Sequence, residues 1–110
     1  MKIAILNCLN ANDVCAGCSC LRAFNEKSRH FAPYADTPLT LTAFARCSGC
    51  GVGLDRGFLE KLDRIVSEET EVCHLGVCTV DPAAKAECPT ITEAAAYLEA
   101  RGVRIVRGTH

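Results

Sequence analysis

The amino-acid sequence predicts an α/β fold: a single three-layer domain over residues 1–110, with a four-stranded parallel sheet and about three helices in a flavodoxin- or Rossmann-like arrangement. Three observations lead to it. Short, nearly all-apolar runs alternate with segments whose apolar residues recur at helical spacing. Each of the first three runs is followed by a stretch long enough for a crossover helix, which makes the strands parallel. The length suits one hydrophobic core and is short for two.

Ile3 to Leu6 has the pattern of a strand buried on both faces, and it stops at Cys8. Leu9 to Ser19, rich in Asn, Asp and Gly, reads as a loop. A modest helix follows from about Cys20 to Arg29, with Leu21 and Phe24 on one side. Beyond Pro33 and Pro38, Leu39 to Phe44 alternates and is β-prone, giving a second strand that ends at Cys47. Gly49, Gly51 and Gly53 punctuate a tight loop, and Asp55 is placed to cap the next helix. Phe58, Leu62, Ile65 and Val66 form its apolar face. Val72 to Val77 is a third strand leading to Cys78, and Asp81 to Pro89 reads as a loop. Thr90-Ile91-Thr92-Glu93 has the form of a capping box. Behind it, Ile91, Ala94, Ala95 and Leu98 form a stripe that Gly102 terminates. Val103 to Val106 is the fourth strand. The most economical strand order is 2-1-3-4.

Charge excludes some functions. Twelve Lys and Arg face thirteen Asp and Glu, spread evenly over both halves, so no basic nucleic-acid patch is expected. No uncharged run reaches the roughly 18–20 residues of a membrane helix. Met1 to Cys8 is too short an apolar stretch for a signal peptide, so a cytoplasmic protein is expected. Nine cysteines are an odd number and would leave a thiol over in a disulfide scaffold. In a reducing compartment, thiols this dense point to metal ligands or redox groups.

Position sharpens that reading. In a parallel α/β sheet every strand ends on the same edge, the edge where such folds bind ligands. Cys8 follows the first strand, Cys47 and Cys50 the second, Cys78 the third and His110 the fourth. Cys47-Ser48-Gly49-Cys50 lets two sulfurs reach one tetrahedral ion. Cys15, Cys18 and Cys20 lie in the first crossover, and Cys88 precedes Pro89 at the start of the third helix. Cys73, His74 and His30 read as structural. Cys50 and Arg56 have the spacing of a phosphatase loop, but Asp55 beside the arginine would repel phosphate. Thiol exchange at Cys47 and Cys50 is chemically reasonable and leaves the other thiols unexplained. Gly49-x-Gly51-x-Gly53 lacks the full dinucleotide fingerprint.

These residues resemble the CGGC-domain family, small cysteine-rich proteins of bacteria and archaea. The resemblance spans essentially the whole chain. It rests on Cys8, on Cys15 and Cys20-Leu21-Arg22-Ala23-Phe24-Asn25, and on Phe31-Ala32-Pro33-Tyr34. Further along it rests on Cys47-Ser48-Gly49-Cys50-Gly51, Cys78, Cys88-Pro89 and Gly108-Thr109-His110. It implies zinc binding through the shared cysteines and histidines, with no assigned reaction. Two departures stand out: Ser48 within the signature motif, and Thr90 where the family often has histidine after Cys-Pro. Cys18 and Cys73 look like additions outside the pattern.

A metal-binding protein, with zinc first, is therefore expected. Its core ligands are Cys8, Cys47, Cys50, Cys78 and His110, with Cys15, Cys20 and Cys88 as a second tier. Eight candidates exceed the four that zinc takes, which points to an open site, a dinuclear site or a cluster. An iron–sulfur redox protein is the main alternative, and a metal-free thiol oxidoreductase using Cys47 and Cys50 is the second. The metal ion is the expected partner, with no nucleic acid or membrane. Protein partners, substrate and oligomeric state are open.

Overall fold

Along the chain run β1 (Lys2–Asn7), α1 (Cys18–Glu26), β2 (Thr40–Arg46), α2 (Arg56–Ser67), β3 (Val72–Leu75), β4 (Val80–Asp81), β5 (Ala86–Glu87), α3 (Pro89–Glu99) and β6 (Arg104–Arg107). Short 3-10 turns occupy Leu9–Asp13, Arg29–Tyr34 and Val77–Thr79. The computed structural model describes residues 1–110.

Four strands form one parallel sheet in the order β2-β1-β3-β6. Counting only these four, that is the 2-1-3-4 order expected from the sequence. The apolar runs of β1 and β3 are central and buried, whereas β2 and β6 lie at the edges and are half-exposed. Side chains alternate across β1. Ala4 and Leu6 face α2 and α3, joining Phe58, Leu62, Ile65, Cys73, Leu75, Ile91 and Leu98. Ile3 and Ile5 face α1 and the Arg29–Tyr34 turn, joining Cys20, Ala23, Phe31, Tyr34 and Val72. Helices thus cover both faces, as the three-layer expectation required.

Local sequence explains most of the ends. Asp55 caps α2, its Oδ1 accepting the Phe58 N–H at 2.8 Å. That bond, helped by the Ser48 hydroxyl, holds the Asp55 carboxyl below its ordinary range. Gly102 closes α3 with a left-handed φ of 89°, while the Val103 N–H reaches back to Leu98 O at 3.1 Å and the Gly102 N–H to Glu99 O at 3.1 Å.

Four boundaries differ from expectation. The first helix starts two residues earlier, at Cys18, because Gly17 supplies the turn into it. β3 stops at Leu75, and Cys78 sits in the 3-10 turn beyond it. Residues 81–89 are not wholly loop: β4 and β5 pair antiparallel there, held to β6 by a two-point ion pair from Arg107 to Glu87. The capping box does not form. α3 begins at Pro89, whose missing N–H suits the first helical position, so Cys88 takes the cap position. The Thr92 hydroxyl bonds Glu87 Oε2 at 2.6 Å instead.

His74 is structural, as expected. It is fully buried in β3 and stacked on Phe31 at 4.2 Å. A carbonyl only accepts, so Nδ1 carries the proton donated to Gly108 O at 2.8 Å, and Nε2 accepts from the Tyr34 hydroxyl at 2.8 Å. Burial holds the imidazole below its ordinary value of 6.5, against the pull of the Gly108 bond. The folded state therefore binds fewer protons than the unfolded chain once the pH drops under about 6.5. Stability contributed by neutral His74 is intact above that pH and falls as acid is added below it. Urea midpoints should decrease from about pH 7 to about pH 5. Replacing His74 with Leu should remove this component of the pH dependence. It should also cost on the order of 2–4 kcal/mol, since the Tyr34 hydroxyl and the Gly108 carbonyl lose their partners.

Candidate metal centre

β1 ends at Asn7, and the chain turns at once through Cys8, Leu9 and Asn10 across the carboxyl edge of the sheet. These three consecutive residues donate to three different thiols. The Cys8 N–H points at Cys78 Sγ (3.2 Å), the Leu9 N–H at Cys47 Sγ (3.2 Å) and Asn10 Nδ2 at Cys50 Sγ (3.0 Å). Cys47 is seated in the core between the sheet and α2, while Cys50 is exposed on the glycine turn. The φ of 116° at Gly49 and 84° at Gly51 lets this turn double back within four residues.

A second group gathers on the α1 side. Cys20, buried on the inner face of α1, lies 3.2 Å from the Thr109 hydroxyl and 3.8 Å from Asn7 Nδ2. Cys78 stands near both Cys8 and Cys20. Burial pushes the Cys78 thiol up, the Cys8 N–H pulls it down, and the neighbouring Cys8 and Cys20 sulfurs push it up further. The edge therefore carries Cys47 and Cys50 on the α2 side, Cys20 on the α1 side, and Cys8 and Cys78 between them.

Other sequence candidates fall elsewhere. Cys15 is exposed, its Sγ accepting only from Gly17 N–H, two residues on. Half-buried Cys88 packs against the α2–α3 core, its N–H bonded to Thr79 O at 2.9 Å. His110 is exposed and lines a cavity of about 250 Å³ with Arg22, Glu26 and Arg29, a cavity whose lining includes no cysteine. Arg56 lines a shallow cavity with Glu60 and Asp63 and without Cys50, which does not match a phosphatase loop. Cys73 is fully buried in β3 and its thiol is pushed up to about 12 by burial, so it packs as a small apolar residue. Cys18, the first residue of α1, is exposed.

The CGGC-domain family model matches residues 2–110. The chain belongs to the CGGC-domain family. A relative by sequence is an uncharacterized protein of Methanocaldococcus jannaschii, 33% identical over 119 aligned positions that cover 100% of this chain and 87% of that protein. No solved structure matches.

The donor chemistry of this CGGC-domain edge fits a thiophilic ion, because soft thiolates select zinc, copper(I) or iron–sulfur centres. Geometry sets a condition on it: no three His, Cys, Asp or Glu side chains are gathered closely enough to hold a metal ion. The thiols stand as neighbouring groups bridged by the Cys8–Asn10 turn. Sequence reasoning passed over four residues that shape the site: Asn7, Asn10, Gly76 and Thr109. The one available signal was a polar Asn7 directly continuing a fully apolar strand.

Exposure orders the thiols. Brief alkylation of the native metal-free protein, read by peptide mass spectrometry, should label Cys15, Cys18 and Cys50 first and Cys20 and Cys47 later. Cys73 should react only on unfolding.

Proposed function

We propose that this protein binds a zinc-class metal ion at the carboxyl edge of its sheet. Cys8, Cys47, Cys50 and Cys78 are the ligands, Cys20 stands beside them, and Cys15, Cys88 and His110 lie outside the first set. The observation that carries the reading is the run Cys8-Leu9-Asn10, whose successive N–H donors address the sulfurs of Cys78, Cys47 and Cys50. Metal-bound thiolates retain such outer hydrogen-bond partners, which orient them and tune their basicity. One short turn after β1 thus aligns three sulfurs that follow two other strands, β2 and β3.

Since no three donors are yet within grip, binding must draw the Cys47–Cys50 turn towards Cys8 and Cys78. The glycine turn carries Cys50 at the surface, outside both cores. Each ligand loses a proton on binding, so uptake strengthens as pH rises. Metal capture at this edge would fasten the loops that follow β1, β2 and β3 to one another, and a CGGC-domain protein of this kind would carry or be stabilised by its ion.

Anaerobically purified protein should be colourless, hold about one zinc per chain by elemental analysis, and lose several degrees of melting temperature on chelation. Cys47→Ser and Cys78→Ser should abolish stoichiometric zinc, while Cys18→Ser should leave it unchanged. A brown protein absorbing near 400 nm would favour the iron–sulfur centre. Chelation without effect on metal-dependent stability would favour a thiol oxidoreductase working through Cys47 and Cys50.

A further inference from the structure

Asn7 is only 2% exposed, yet its Oδ1 has no hydrogen-bond partner. A buried acceptor left unmatched costs about 1–3 kcal/mol, and native proteins leave few of them. The other arm of the carboxamide makes only a long contact, Nδ2 to Cys20 Sγ at 3.8 Å. Its oxygen is directed into the space where Gly76 has no side chain. A Cβ on Gly76 would collide with Oδ1 and come within 3.3 Å of Cys78 Sγ. Gly76 has a φ of −62°, which any residue adopts, so it is the space and not the backbone that calls for glycine here. An unmatched oxygen, seated where a Gly76 side chain would stand, therefore lies close to Cys78 and Cys20 beside the Cys8 turn.

We infer that Asn7 Oδ1 is an oxygen donor to the ion at this edge, taking on the Cys20–Cys78 side the position that one of the four thiolates would otherwise hold. This rests on the metal-binding reading above and narrows it. A neutral amide oxygen among thiolates suits a divalent ion of intermediate softness, such as zinc, cadmium or cobalt. Copper(I) and iron–sulfur clusters take sulfur in preference, so the oxygen selects against them. Asn7 thereby becomes a specificity residue as well as the hinge between strand and ligand turn.

The test uses full-length protein loaded with cadmium-113, read by its NMR frequency and by competition with a chelator. Wild type should resonate at lower frequency than an all-sulfur site. Asn7→Leu, similar in size without the oxygen, should move the signal towards the all-sulfur position and weaken binding about 10- to 100-fold. Asn7→Asp restores an oxygen and should restore both readouts. Gly76→Ala, whose methyl would displace the carboxamide oxygen, should behave like Asn7→Leu, so the result does not depend on one variant folding. If wild type and Asn7→Leu bind cadmium with the same frequency and affinity, Asn7 is not a ligand, while the metal reading stands. If wild type takes up no cadmium, both fall together.

Discussion

The register of β1 is the constraint on which the rest depends. Ile3, Ala4, Ile5 and Leu6 are all fully buried between β2 and β3 and between two helical layers. Each large side chain contributes about 1.5–3 kcal/mol by burial. A slip of one residue would exchange Ile3 and Ile5 with Ala4 and Leu6 and misfit both cores at once. That fixed register sends the Asn7 side chain to the α1 side and releases the chain at Cys8. The donors to Cys78, Cys47 and Cys50 follow without another degree of freedom to adjust.

The cysteines inherit a two-sided arrangement from this. Cys47 belongs to the core beneath α2 and α3, and Cys20 to the core beneath α1. The sheet separates the two layers along its strands, and at its carboxyl edge, where β1 and β3 stop, residues from both layers can converge. Cys73, mid-strand in β3, is buried within one core and takes no part.

Much of this was legible in the sequence, for definite physical reasons. Strands buried on both faces leave continuous apolar runs, so β1 and β3 could be read directly, while the strand order followed only from economy of connection; the α2 stripe and its Asp55 cap were equally plain. The β4–β5 hairpin was invisible because strands of two residues carry no periodicity. Thr90 through Glu93 imitated a cap, but Pro89 had already started the helix. At the site, strand order brought Cys8, Cys47, Cys50 and Cys78 to one edge, while His110 lines a cavity with residues of α1. Asn10 read only as part of a loop, and Asn7 stood unremarked at the end of the first strand. Their roles depend on Cys50 and Gly76, partners that only the folded sheet brings near.

The fit between Asn7 and Gly76 also has an evolutionary consequence. Neither position is free to vary alone, because any side chain at 76 would occupy the volume of the carboxamide from position 7. Across the family the two should change as a pair, with a bulkier residue at one accompanied by a smaller one at the other. Such coupled drift would separate lineages that keep a mixed oxygen–sulfur cradle from lineages that have abandoned it.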